Sequence, residues 1–125
     1  MPIDATKPYD ETNIFARILR GEIPCGKVHE DEHALAFHDI NKQAPVHILV
    51  IPKGAYVSWD DFSERGSAEE IAGFVRAVGR VAREAGLVAR GYRLLANAGP
   101  NSGQEVPHLH VHIFGGGPLG PMLAH

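Results

Sequence analysis

Cysteine is almost absent. The single residue, Cys25, cannot form an intrachain disulfide, so the chain reads as one from a reducing compartment and a cytoplasmic location is expected. Long apolar runs are missing too: the longest, Ile48 to Ile51, falls far short of the ~20 residues that span a bilayer. The opening stretch MPIDATKPYDE carries no apolar h-region. No membrane partner is expected. Basic excess is lacking as well, with 12 Lys+Arg against 15 Asp+Glu and a net charge of -3, which disfavours a nucleic-acid partner. No repeat, low-complexity tract or long charge block interrupts the chain. At 125 residues the expectation is one domain over 1–125 with short extended arms at 1–12 and 115–125. The 44% of hydrophobic residues is enough to fill a core without metal or disulfide staples.

What the chain has in quantity is histidine, eight residues in all, and their placement is patterned. The surrounding elements come first. Ser67 and Glu70 form a capping-box pattern, and Ile71, Phe74, Val75, Val78, Val81, Ala82 and Ala85 then recur at helical spacing until Gly86, which predicts a helix over about Ala68 to Ala85. A shorter helix follows from Asn13 as cap, Ile14, Phe15, Ile18 and Leu19 as apolar face, and Gly21 as terminator. Strands are predicted at Lys27 to Glu30, Ala34 to His38, His47 to Ile51, Tyr92 to Asn97 and Pro107 to Phe114. Asp31 to His33 suits a hairpin turn, and Trp59-Asp60-Asp61 reads as a loop. Five strands and two helices without regular βαβ alternation predict an α+β fold with a mainly antiparallel sheet.

In Pro107-His108-Leu109-His110-Val111-His112-Ile113-Phe114 polar and apolar residues alternate, and a strand has a side-chain period of two, so the three histidines share one face while Leu109, Val111 and Ile113 face the core. One surface histidine on a strand is ordinarily a solvated residue. Three in register place titratable rings side by side, which Thr, Lys or Glu would not do. Two chemistries use such rings. A metal bound by all three is opposed by geometry, because the Cα atoms of His108 and His112 lie roughly 13 Å apart at ~3.3 Å per residue; two of them with a distant ligand remain open. The other is attack on phosphorus, with the middle ring as nucleophile and its neighbours on the phosphate oxygens. The preceding loop, Asn97 to Gln104, has two glycines and several amide and hydroxyl groups, a composition able to aim N–H groups at an anion. Gly115 to Gly120 matches GxGxxG only formally, since Pro118 interrupts it and no helix can follow.

The block His108 to Phe114, the upstream Ala36-Phe37-His38-Asp39-Ile40, the run Gln43 to Lys53 and the loop ending Gly103-Gln104 together resemble the histidine triad family, and in particular its Hint-type nucleotide-binding phosphoramidase branch. The resemblance runs from about Asn13 to Gly116. It implies hydrolysis of purine nucleoside phosphoramidates to AMP and an amine, on an α+β fold whose sheet extends across a homodimer, with no cofactor. It implies His110 as the nucleophile that forms a nucleotidyl-histidine intermediate, flanked by His108 and His112, with His47 completing the cluster. Asp39 would accept hydrogen bonds from the ribose hydroxyls. Ile14, Phe15, Ile18, Phe37, His38 and Ile40 would form the base pocket, and Asn97, Gly103, Gln104 and Val106 would contact the nucleotide near its phosphate.

Three departures from the family pattern stand out. The cysteine pair that in many relatives contributes to a structural zinc site is absent from Asn13-Ile14-Phe15-Ala16, so no metal is expected. Glu105 stands where some relatives place a serine, a negative group near an anionic substrate. The tail from Pro118 also differs, which leaves the leaving group open. Two other readings are a dinucleoside polyphosphate hydrolase and a non-catalytic nucleotide-binding or scaffolding protein.

Overall fold

The computed structural model describes residues 2–124; Met1 and His125, the outermost residues of the two expected arms, lie outside it. Five strands form one sheet: β1 (Lys27–Glu30), β2 (Ala34–His38), β3 (Val46–Pro52), β4 (Arg93–Leu95) and β5 (Val111–Gly115), in the order β1-β2-β3-β5-β4. Every neighbouring pair is antiparallel, as expected. Three helices accompany them: α1 (Ile14–Leu19), α2 (Trp59–Arg65) and α3 (Ala68–Glu84).

The central strands are apolar on consecutive residues because both faces of the sheet are covered. Period-two alternation sorts them. Ala34, Ala36, Ile48, Val50, Leu109, Val111 and Ile113 pack on one face with Phe74, Ala77, Val78, Val81 and Ala82 of α3. Leu35, Phe37, Leu49 and Ile51 pack on the other with Phe15 of α1. The predicted helix over Ala68 to Ala85 is α3, capped by Ser67 and Glu70 and ending at the C-cap Ala85. Val75 departs from the expected apolar stripe: it is 54% exposed. Asn13 caps α1, its side chain accepting from the Ala16 N–H at 2.9 Å.

α2 is a correction, since the sequence predicts a loop around Trp59. The signal lay in Ser58 and Asp61, a capping box with Asp at the position where Glu or Gln is usual. Ser58 Oγ accepts from the Asp60 N–H, and the Asp61 carboxylate accepts from the Val57 and Ser58 N–H groups. Phe62, buried against Tyr56 and Phe74, anchors the turn. Ser58→Ala is expected to cost about 1 kcal/mol and to lower the midpoint of thermal unfolding by roughly 4 °C. An unchanged midpoint in calorimetry would show that the cap contributes nothing.

Strand ends differ as well. β4 is shorter than Tyr92 to Asn97, and β5 begins at Val111 rather than Pro107. Pro107 has no N–H, and the Leu109 N–H leaves the ladder for Tyr56 O at 2.8 Å. β3 is a residue longer at each end than predicted. Both tails lean on the body. The Ile3 N–H donates to Gln104 O at 2.8 Å, and the Arg93 guanidinium donates to Gly120 O and Pro121 O.

Candidate active site

Because Leu109, Val111 and Ile113 enter the α3 core, His108, His110 and His112 turn to the α1 face. β3 adds to that face. His112 stands opposite Leu49 and Phe114 opposite His47, so His47 reaches the same wall. His47 Nε2 lies 2.9 Å from His112 Nδ1, and the His110 and His112 ring centroids are 5.1 Å apart. Phe15 of α1 closes the other side, edge-on to His110 at 5.0 Å and to His108 at 6.4 Å.

Backbone groups dictate where each ring carries its proton, because a carbonyl only accepts and an N–H only donates. The Gln43 N–H donates to His47 Nδ1 at 3.1 Å. A neutral His47 therefore holds its proton on Nε2 and donates it to His112 Nδ1, which leaves the His112 proton on Nε2. His110 Nδ1 donates to His108 O at 2.7 Å. Its Nε2 consequently carries the lone pair. His108 Nε2 donates to Pro52 O at 2.8 Å, and its Nδ1 accepts from the Tyr9 hydroxyl at 2.6 Å.

Burial also keeps these rings neutral, since taking an imidazolium out of water costs more than taking an imidazole. Desolvation lowers His108 to about 4. It lowers His112 to about 4 as well, reinforced by the neighbouring His110 and His47. His110 and His47 are pushed down for the same first reason, opposed by the His108 carbonyl and by Asp39 respectively. At neutral pH the wall is a row of uncharged imidazoles with one free lone pair.

The remaining residues expected at the site are distributed unevenly. Asp39 is half-buried at the end of β2, with Oδ1 accepting from the Asn41 N–H and Oδ2 3.4 Å from His47 Nε2. Phe37 is buried behind Phe15, their rings 5.6 Å apart, and Ile18 and Val106 are half-buried against the same cluster. Ile14, His38 and Ile40 are exposed, Ile40 at 95%. Asn97 is half-buried. Gly103 has φ +76 and closes the 3-10 turn Pro100–Ser102, a left-handed backbone that favours glycine. Gln104 is buried with its side chain already committed: Oε1 accepts from the Gly99 N–H, and Nε2 donates to Val57 O and Val106 O. It braces the loop from inside. Glu105 is exposed, and no hydrogen bond or ion pair of its side chain is found among the described residues.

Two further residues belong to the wall. Phe114 extends its period-two face: its ring lies parallel to His112 at 5.5 Å and 4.3 Å from His47. The strand pattern contains that signal. Tyr9 has none, since it meets His108 across 99 positions of chain.

Asp39, His47 and His112 hold one potential ligand atom each within 4.8 Å of one another. Only one of these is a triad residue, and His47 and His112 already share a proton between the atoms a cation would take. A cavity of about 670 Å³ lies elsewhere, between α3 and β4, lined by Trp59, Val75, Leu94 and their neighbours. It touches the back of β5 at Val111 and none of the histidines.

Residues 20–119 match the family model described as HIT domain. The chain is 68% identical over 117 residues to a 13.2 kDa HIT-like protein of Azospirillum brasilense, covering 94% of this chain and 96% of that one. It is 42% identical over 115 residues to the purine nucleoside phosphoramidase of Escherichia coli, covering 92% and 96%. Among solved structures, a HIT family hydrolase from Clostridium thermocellum superposes with a TM-score of 0.83 at 37% identity, over 92% of this chain and 99% of that one.

Proposed function

We propose that this chain, which belongs to the HIT domain family, is a hydrolase of purine nucleoside phosphoramidates acting through a nucleotidyl-histidine. The observation that carries this reading is the unshared lone pair on His110 Nε2, fixed by the bond from Nδ1 to His108 O. In the first step Nε2 attacks the phosphorus, the P–N bond to the amine breaks, and the amine leaves with a proton. In the second, water attacks the same phosphorus, the bond to His110 breaks, and AMP departs. Each displacement is easier than one direct attack by water. His112, whose proton sits on Nε2, can donate to a phosphate oxygen or the departing nitrogen, and His47 holds that orientation. Asp39, at the rim, takes the ribose hydroxyls. Phe15, Phe37, Ile18 and Val106 give the base an apolar wall, with Ile14, His38 and Ile40 at its open edge. Asn97, Gly103 and Gln104 shape the loop beside the phosphate. Kinship with a phosphoramidase at 42% identity supports this substrate class over dinucleoside polyphosphates.

The test is incubation with adenosine phosphoramidate, rapid quenching and mass analysis of the peptides. A nucleotidyl adduct on His110 and release of AMP are expected. An adduct elsewhere, or AMP binding with no cleavage, overturns the reading and favours a binding protein.

The active unit we propose is a homodimer. β4 pairs with β5 alone, so its outer edge offers unpaired ladder groups. Beside it Trp59, Val75 and Leu94 are 47%, 54% and 49% exposed around the cavity between α3 and β4. A second copy related by a twofold axis satisfies both at once, adding a strand to the edge and covering the apolar groove. Light scattering is expected to give twice the mass of one chain. Leu94→Asp is expected to reduce it to one, and a wild-type monomer rejects the arrangement.

A further inference from the structure

We propose that Tyr9, in the segment before α1, is a positioning residue for the nucleophile, acting through His108. The proposal rests on His110 being that nucleophile. Its hydroxyl lies 2.6 Å from His108 Nδ1, with the two rings edge-to-face at 5.5 Å. Pro52 O accepts from His108 Nε2, so Nδ1 has no proton and the tyrosine must be the donor. The same His108 supplies, through its carbonyl, the acceptor that holds His110 Nδ1–H. Tyr9 is thus the outer end of a directional chain: hydroxyl to His108 ring, His108 carbonyl to His110 ring, and a lone pair aimed into the site.

The segment is built to hold this hydroxyl in place. Ile3 is bonded to Gln104 O on one side of Tyr9. On the other, Asp10 Oδ1 accepts from the Thr12 N–H and hydroxyl, and Asp10 O accepts from Asn13. Phe15, six residues on, packs against both His108 and His110. Burial raises the Tyr9 phenol above its usual range, so it remains a donor throughout the neutral pH region.

Without the hydroxyl, His108 Nδ1 is a buried acceptor with no partner. Pro52 O still holds the proton on Nε2, but the ring is then tethered from one side only and can turn about that bond. The loss passes to the orientation of His110 rather than to substrate contacts. Tyr9→Phe is therefore expected to lower kcat by about tenfold or more, with KM changed less than twofold.

The experiment pairs steady-state kinetics on adenosine phosphoramidate with ¹⁵N NMR of the histidine rings in the same samples. In the wild-type protein, His108 is expected as the single Nε2–H tautomer and His110 as Nδ1–H; in Tyr9→Phe, His108 is expected to keep Nε2–H while its Nδ1 signal moves to that of an acceptor with no donor and the His110 signals broaden. A general loosening of the arm would not move these ring signals selectively. Wild-type kcat in Tyr9→Phe, or unaltered His108 and His110 signals, overturns the proposal. If the variant fails to fold, the wild-type spectrum still decides, because His108 found with its proton on Nδ1 excludes Tyr9 as donor. A wild-type protein that shows the Nε2–H tautomer of His108 but cleaves no phosphoramidate would leave the contact standing and remove the phosphoramidase reading instead.

Discussion

His110→Ala is expected to abolish turnover of adenosine phosphoramidate, lowering kcat by on the order of 10⁴-fold or more, while AMP still binds. The size follows from the site's construction. No other group on the wall has both a free lone pair and a fixed direction: His112 Nδ1 accepts from His47, His108 is bonded at both nitrogens, and His47 is likewise engaged at both. With the ring deleted, water must displace the amine directly. Binding survives because the apolar wall of Phe15, Phe37, Ile18 and Val106 belongs to a packed cluster that does not depend on His110. Calorimetric titration with AMP alongside the kinetic assay separates the two effects. Turnover within tenfold of wild type would show that the nucleophile lies elsewhere. The wild-type kcat/KM should also hold its plateau to a lower pH than a free imidazole near 6.5 would permit, because desolvation pushes His110 down.

Acid is expected to destabilise the fold in a window that belongs to these rings. In the unfolded chain an imidazole takes a proton near pH 6.5; in the folded chain His108 takes one only at about 4. Between those values the unfolded state binds a proton that the native state refuses. Its contribution is thus fully present above about 6.5 and is lost as pH falls through about 4. The difference for His108 is about 3 kcal/mol. His112, also at about 4 but only half-buried, adds a smaller share because solvent screens it. Carboxylates act lower. Glu30, held at about 2 by hydrogen bonds from Lys27 and Lys53, matters only below the ordinary carboxylate range near 4.3. Urea unfolding at about pH 7 and pH 5 therefore isolates the histidines from the carboxylates. Equal midpoints would mean that the buried rings protonate freely in the native state.

The regular elements were legible wherever local chemistry agreed with burial. Ser67, Glu70 and the apolar positions of α3 announce that helix, and β1 and β2 begin and end where predicted. α2 is hidden in the sequence, because Ser58 and Asp61 cap it with a carboxylate one methylene shorter than the usual Glu, and only Phe62 of its seven residues is buried. Val75 falls in the apolar recurrence of α3 yet faces a groove, because periodicity reports which residues are apolar, not what lies opposite them. The resemblance places Gln104 beside the phosphate, and the structure adds what holds the loop there. The Gln104 amide turns inward to three backbone groups, a bonding pattern that depends on Val57, 47 positions away.

The alternation from Pro107 to Phe114 was sufficient by itself to put His108, His110 and His112 on one side and three apolar residues on the other, because side-chain direction along an extended chain is a local property. Tertiary structure alone decided which of those rings keeps an unshared lone pair. That choice depends on Gln43 and Pro52, whose backbone groups set the proton on His47 and His108, and on the turn that brings His108 O to His110. Tyr9 and Phe15 complete it from the far end of the chain. Hydrogen-bond direction is determined by partners distant in sequence, so a row of identical side chains is left with one unshared lone pair only when the sheet and α1 have closed around it.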